Sequence, residues 1–242
     1  MNPRRLLARA FDRLAERLVA LLLDRAQERL LHPPTLLLLD AQRESADYVR
    51  ERMRDALAML RRDDVIRVAF SRAPANGLIL EFGVGGGEST RRIAALAALG
   101  GRMVHGFDSF EGLPEEWPGR HEERGHYSTG GILPAVPANV RLHKGSFDAT
   151  LPAFLAEAEG PAAFIHVDCD LYSSTRAVLA ALAPRIVAGT VILFDEYFNI
   201  VGWRAHEFKA FQEFVAERRV RYRYLCWGHQ QAAVIVESIG AG

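Results

Sequence analysis

Apolar residues follow a helical period at the start of the chain and a strand period later. Leu7, Phe11, Leu14, Leu18 and Leu21 recur at spacings of four and three, which places them on one helix face. Asp12, Glu16, Asp24 and Glu28 are interleaved with seven arginines over residues 1–31, so the stretch reads as an amphipathic helix and not as a signal or transit peptide. Such a helix packs on its own domain or on a second copy of the chain, with a membrane-surface helix as the alternative. His32-Pro33-Pro34 ends it. Tyr48, Met53, Leu57 and Leu60 predict a second helix from about Ala41 to Arg62, and a third runs to about Arg72.

After the turn Ala73-Pro74-Ala75-Asn76-Gly77 the pattern shortens. Leu78–Phe82, Met103–Phe107, Val140–His143, Ala163–Val167 and Thr190–Phe194 are short apolar runs. Helices are predicted between and after them near Ser89–Leu99, Ala149–Ala158, Thr175–Leu182 and Ala205–Arg218. Strand and helix in alternation specify a parallel sheet covered on both faces, a doubly wound α/β fold. Tyr222–Trp227 and Ala232–Glu237, joined through Gly228-His229-Gln230, read as a terminal antiparallel hairpin. The chain thus divides into an N-terminal helical extension, residues 1–72, and a sheet domain, residues 73–242. The extension acts as a cap or as an oligomerisation element, and its extra amphipathic helices predict a homo-oligomer.

Composition narrows the function. With 30 Lys+Arg against 30 Asp+Glu the chain of 242 residues carries no net charge, so nucleic acid is not an expected partner. Apolar stretches such as Ile93–Leu99 and Ala177–Ala183 reach only seven residues, where a bilayer span needs about twenty. A cytoplasmic protein with no membrane span is expected. Cys169 and Cys226 make neither a disulfide framework nor a four-ligand zinc site and read as small core residues.

In a doubly wound sheet the ligand sits at the carboxyl ends of the strands. The first strand runs into Glu81-Phe82-Gly83-Val84-Gly85-Gly86-Gly87-Glu88-Ser89-Thr90. Its glycines let backbone approach a ligand closely, and Ser89 or Thr90 is placed to cap the next helix. Glu88 stands where a dinucleotide fingerprint has its last glycine; an acid there repels a pyrophosphate, and a carboxylate-bearing cation suits the loop better. Asp108, ending the second strand, is positioned to accept the hydroxyls of an adenosine ribose, or to cap the Ser109-Phe110-Glu111-Gly112 turn, or both. The fourth strand ends in His166-Val167-Asp168-Cys169-Asp170 and the fifth in Phe194-Asp195-Glu196-Tyr197, which brings carboxylates from neighbouring strands into one crevice. Close like charges need a cation or a shared proton, and an all-oxygen donor set suits Mg²⁺ or a similar hard ion. Asp168, Asp195 and Glu196 are the favoured ligands, since Asp170 is better placed to cap the helix after Leu171. A set of solvated caps is the alternative for the whole group.

Three segments carry a resemblance. Gly106-Phe107-Asp108-Ser109-Phe110-Glu111-Gly112-Leu113-Pro114, Asp168-Cys169-Asp170-Leu171-Tyr172-Ser173-Ser174-Thr175 and Phe194-Asp195-Glu196-Tyr197, with the loop Glu81–Thr90, resemble the macrocin O-methyltransferase family over roughly residues 41–237. These are class I methyltransferases that use S-adenosylmethionine. The resemblance implies a Rossmann-like, seven-stranded, mostly parallel sheet. It also implies Mg²⁺-assisted transfer of a methyl group to a hydroxyl of a sugar or another polyhydroxylated small molecule. By the same resemblance Asp168, Asp195 and Glu196 hold the metal and Asp168 also accepts the proton; family members usually carry two aspartates where this chain has Asp195-Glu196. Glu81, Gly83, Gly85, Asp108 and Ser109 are implied to contact the cofactor, and Ser146 and Phe147 to flank its adenine.

Other residues keep two readings. His206, just after the acidic strand end, is a second candidate base or an exposed helix-start histidine, and His166 reads as a packed core residue. Trp203 and Tyr197 shape an acceptor pocket or pack. The irregular stretch Pro114–Pro134 is a mobile cover over cofactor and acceptor or a disordered insertion. Two other functions stay open. One is an N-methyltransferase or nucleotide-dependent oxidoreductase, whose chemistry requires no carboxylate cluster; the other is a non-catalytic protein that uses the N-terminal helices as a partner surface.

Overall fold

The computed structural model describes residues 3–240. Its elements are α1 (Pro3–Leu30), α2 (Pro33–Arg52), β1 (Leu57–Ala58), α3 (Arg62–Ser71), β2 (Leu78–Phe82), α4 (Glu88–Ala98), β3 (Val104–Asp108), β4 (Val140–Lys144), α5 (Phe147–Glu157), β5 (Ala162–Val167), α6 (Tyr172–Leu182), β6 (Val191–Phe194), α7 (Glu207–Arg218), β7 (Arg221–Trp227) and β8 (Ala232–Ser238). The strands form one sheet in the order β1-β7-β8-β6-β5-β2-β3-β4. β8 pairs antiparallel with both β6 and β7, and every other pairing is parallel. This is the doubly wound sheet with a terminal hairpin that the alternation predicts.

The sheet has one strand more than the seven expected. β1 is two residues long and exists through its partner: Leu57 pairs with Cys226, Ala58 with Trp227, and the Met59 N–H donates to the Trp227 carbonyl at 2.8 Å. Leu57 and Leu60, expected on a buried helix face, are 47% and 101% exposed because α2 ends at Arg52. α2 also starts earlier than expected, with proline in its first turn, where a missing N–H leaves no bond unmade. Ser89 and Thr90 cap nothing; they are buried inside α4, whose N-cap is Gly87.

Strand alternation sorts the core into two layers. Leu80, Phe82, Ile165 and Phe194 face α5, α6 and α7, while Ile79, Phe164, Val191 and Leu193 face α3 and α4. α3 is fixed on the sheet by Val65, Ile66 and Ala69, all buried. Residues 57–71, grouped by sequence with the N-terminal extension, are therefore built into the sheet and its covering layer. The second half of α2 is docked as well. Ser45 Oγ accepts the Asn199 N–H at 2.9 Å, and the Tyr48 hydroxyl lies 2.6 Å from that of Tyr224, which in turn lies 2.7 Å from that of Tyr197.

The described leucines of α1, and Leu36–Leu39 of α2, are left largely exposed. Leu14, Leu18 and Leu21 of the predicted apolar stripe are more than half exposed, as are Leu22 and Leu23. The side chains of Leu7 and Phe11, on the same stripe, lie outside the described residues. Among the described residues no helix is long and apolar enough to cross a membrane.

The chain leaves β2 through a close crossing. Gly83 sits at φ +91°, and a Cβ there would stand 1.6 Å from the Asp168 carbonyl oxygen. Gly85, at φ +49°, has nothing within 4 Å of its Cβ position. Gly83→Ala is therefore expected to destabilise by more than about 3 kcal/mol, whereas Gly85→Ala pays only the left-handed backbone cost of about 1–2 kcal/mol. Urea denaturation of the two variants checks this, and equal losses would contradict it.

Candidate active site

A cavity of about 690 Å³ opens at the carboxyl ends of β2, β3, β5 and β6, a size in the range of small-molecule sites. Gly83, Val84, Gly85 and Gly86 form one side, with Asp108 and Ser109 after β3 and Ser146 and Phe147 at the start of α5. Asp168, Asp170, Asp195, Glu196 and Arg62 form the other, and Glu115 and Tyr127 of the long loop line it as well.

At the glycine end the loop is held by a carboxylate. Asp108 Oδ2 accepts the N–H groups of Val84 and Gly85, each at 2.8 Å, and Oδ1 accepts that of Phe110 at 2.7 Å. Asp108 thus caps its own turn while it lines the cavity. Gly85 and Gly86 turn bare backbone toward open space. Ser109 Oγ accepts the Glu111 N–H at 3.1 Å, and Phe147 stands edge-on to Phe82, ring centroids 5.5 Å apart. Glu81 is placed differently from the other loop residues. It sits within β2, where both faces of the sheet are covered, is fully buried, and accepts a hydrogen bond from His166 Nδ1 at 3.0 Å. It is not among the residues that line the cavity.

The carboxylate end is crowded. One carboxylate oxygen from each of Asp168, Asp170 and Glu196 lies within 4.8 Å of the others, and a second group joins His166, Asp168 and Asp195 at the same spacing. Asp170, expected to cap α6, makes no cap bond there; its φ of +63° is one aspartate tolerates, and its carboxyl joins the cluster. Burial and then the charge of Asp195 push Asp168 up to about 8 and Asp170 up to about 7. Burial, and after it Asp195 and Asp168, raise Glu196 well above the carboxylate range. Its Oε2 is buried with no hydrogen-bond partner among the described residues.

Asp195 goes the other way. Burial opposes its ionisation, but His166 and Arg62 outweigh burial and hold its pKa low. Arg62 spans two of the acids: Nη2 donates to Asp168 Oδ2 at 2.6 Å and Nε donates to Asp195 Oδ1 at 2.7 Å. His166 Nε2 lies 3.6 Å from the same Asp195 oxygen. Against the cost of burial, Asp195 and Glu81 raise His166 to about 10, and the core histidine expected from sequence stands between two acids. Behind them Glu207, buried at the start of α7, accepts the Glu196 N–H at 3.0 Å.

Sequence reasoning missed Arg62 and Glu207. Arg62 is 106 residues from Asp168 and 133 from Asp195, so no local spacing connects them. Glu207 had a weak signal, as an acid in the first turn of a predicted helix. His206, the second candidate base, is buried away from the cavity lining; its Nδ1 accepts the Trp117 indole N–H at 3.3 Å, and burial followed by Arg120 lowers its pKa. Trp203 and Tyr197 are buried and pack.

The stretch Pro114–Pro134 has defined internal structure. The Gly125 N–H donates to the Leu113 carbonyl and the Leu113 N–H to that of His126, the Trp117 N–H donates to the Glu122 carbonyl at 3.0 Å, and the Thr129 and Gly131 N–H groups both donate to the Phe110 carbonyl. Arg120 lies 4.3 Å above the Trp117 ring and forks onto Glu122 at 2.6 and 3.0 Å. Tyr127, at the cavity, is raised to about 12 by burial and by the charges of Asp170 and Glu122.

Residues 80–197, from β2 through the end of β6 to Tyr197, match the family model of a methyltransferase domain. This part of the chain is similar to methyltransferase domains. The chain is also 35% identical over 161 residues to the 8-demethyl-8-(2,3-dimethoxy-alpha-L-rhamnosyl)-tetracenomycin-C 4'-O-methyltransferase of Streptomyces olivaceus. That alignment covers 57% of this chain and 60% of the relative, under two thirds of its length. Among solved structures, calicheamicin methyltransferase CalS11 is similar at 22% identity and a TM-score of 0.57, covering 84% of this chain and 93% of its own. The O-methyltransferase NovP is similar at 20% identity and a TM-score of 0.57, covering 73% and 79%. These structures fix the fold as the Rossmann-like methyltransferase fold, and the resemblance carried by the three sequence segments is borne out.

Folding raises His166 above its unfolded value, so the stability it contributes is complete below about pH 6.5 and fades as pH rises toward 10. His166→Gln leaves Glu81 buried without its partner and is expected to lose about 3–5 kcal/mol near neutral to acid pH. The gap from wild type should narrow steadily as the pH is raised from 6.5 to 10 in urea titrations. A gap independent of pH would contradict the raised pKa of His166.

Proposed function

We propose that the protein is an S-adenosylmethionine-dependent O-methyltransferase acting on a hydroxyl of a sugar or another polyhydroxylated small molecule, assisted by Mg²⁺. The observation that carries this reading is one cavity with two unlike ends, open glycine backbone at one and crowded carboxylates at the other. The curated relative is named for 4'-O-methylation of a rhamnosyl tetracenomycin, which supports a sugar hydroxyl as the acceptor class.

Both groups fit the residues present. The bare backbone of Gly85 and Gly86 leaves room for close approach of a cofactor, with Asp108 and Ser109 beside it and Ser146 and Phe147 placed for a flat ring. Asp168 and Glu196 would hold the cation together with Asp170, which groups with them, whereas Asp195, the third expected ligand, groups with Asp168 and His166 instead; the buried, unpartnered Glu196 Oε2 is the oxygen that most needs a cation. S-adenosylmethionine supplies an activated methyl group, and a hard cation makes a nearby hydroxyl more acidic.

The chain's own residues do the rest. Asp168 is the base: a carboxyl with proton affinity raised by burial and by Asp195 is better matched to a hydroxyl proton than an ordinary aspartate. Asp195, fixed by His166 and Arg62, stays charged beside it and orients the cluster. Glu115 and Tyr127 close part of the rim and contribute to alignment of the acceptor. The long loop serves as the cover over both ligands.

The exposed leucines of α1 support a further part of the reading, association of two or more copies through α1 and the first half of α2. Light scattering of the full chain should give a multiple of the monomer mass, and removal of residues 1–31 should lower it. Equal, monomeric masses for both would reject this.

Calorimetric titration of S-adenosylhomocysteine, with NAD as control, tests the cofactor; micromolar binding of the first alone is expected, and none would remove the assignment. Asp168→Asn should keep that binding and lower methyl transfer by about 10²–10⁴-fold. Loss of binding together with activity would place Asp168 in the cofactor site instead.

A further inference from the structure

Arg62 is the one cationic side chain among the described residues that line the cavity, and it is bonded to Asp195 and to Asp168, the acid common to both groups of candidate ligands. Its backbone has little freedom. It opens α3, which is held to the sheet by Val65, Ile66 and Ala69, and the next residue, Asp63, is bridged to Arg92 of α4 at 2.7 Å. The side chain is different: it is 31% exposed, long, and joined to the cluster only through its guanidinium. A guanidinium keeps its charge at every relevant pH. It therefore offsets negative charge on Asp168 and, with His166, on Asp195, and it repels any second cation brought to the same oxygens.

We propose that Arg62 is an internal counter-ion that holds the two aspartates in place of the metal and must release Asp168 when the metal binds, so that Arg62 sets the metal affinity of the site. The inference rests on the cation assigned above to Asp168, Asp170 and Glu196. A fork that only fastened α3 to the sheet would predict the opposite, since its loss would disorder the carboxylates and weaken metal binding. Competition predicts that its loss strengthens binding.

The experiment is titration of Mn²⁺ into the full-length protein, followed by electron paramagnetic resonance of the free ion, for wild type, Arg62→Gln and Arg62→Lys. Each protein is titrated in parallel with S-adenosylhomocysteine. Arg62→Gln should bind Mn²⁺ at least tenfold more tightly than wild type. Arg62→Lys should tighten it at least threefold, because an ammonium lacks the fork that engages both aspartates at once. Equal or weaker Mn²⁺ binding in Arg62→Gln overturns the proposal and leaves the metal assignment standing. If the glutamine variant does not fold, the lysine variant decides: a threefold gain supports competition and no gain overturns it. If no protein binds Mn²⁺ while all bind S-adenosylhomocysteine, the proposal and the metal assignment fall together and the methyltransferase reading survives.

Discussion

Parallel strands all finish on the same side of a sheet, so the acids that end neighbouring strands must meet there. In this protein β5 and β6 end in Asp168, Asp170, Asp195 and Glu196, and much of the remaining structure answers that crowding. His166 lies within β5, buried between Glu81 and Asp195, Arg62 reaches in from α3, and burial raises the pKa of the acids that neither touches. The cluster thus confines acids whose pKa values are pushed in opposite directions, Asp195 down and Asp168, Asp170 and Glu196 up, a pattern that marks functional sites.

The sheet was legible because inner parallel strands are buried on both faces and read as short, continuous apolar runs. β2 coincides with the run Leu78–Phe82, and the other inner strands shift by a residue at most from their predicted limits. β1 was not legible, since two residues set no period and the strand is created by the edge of β7. The ends of the helices around the site were also misread, for Ser89 and Asp170 looked like caps by residue type. Tertiary demands took precedence: Ser89 is needed inside the covering layer, and Asp170 in a left-handed turn joins the cluster.

The same distinction applies to the site. Acids that follow strands could be named because strand ends define the crevice, and Asp108, Ser109, Ser146, Phe147, Asp168, Asp195 and Glu196 all line one cavity. What escaped was whatever arrives from another layer. Arg62 comes from a helix whose limits were themselves blurred, and nothing in its neighbourhood marks it as a partner of residues more than 100 positions away. Glu81 and His206 failed to reach the cavity for a related reason. Proximity in sequence to a loop or a strand end says nothing about the side of the covering layer on which a side chain comes to rest.

Gly83 pressed against the Asp168 carbonyl has a bearing on how such a protein diversifies. The glycine loop and Asp168 are welded through backbone, with the Asp168 N–H donating to the Phe82 carbonyl at 2.8 Å and the Gly83 N–H to that of Phe107 at 3.0 Å. The span between the glycine loop and the carboxylate end of the cavity is therefore a constant of the main chain, which side-chain replacement cannot retune. Evolutionary or laboratory change of the cavity is pushed outward to the rim, where Glu115 and Tyr127 sit on a loop that can be rebuilt while the distance between the cavity's two ends stays the same.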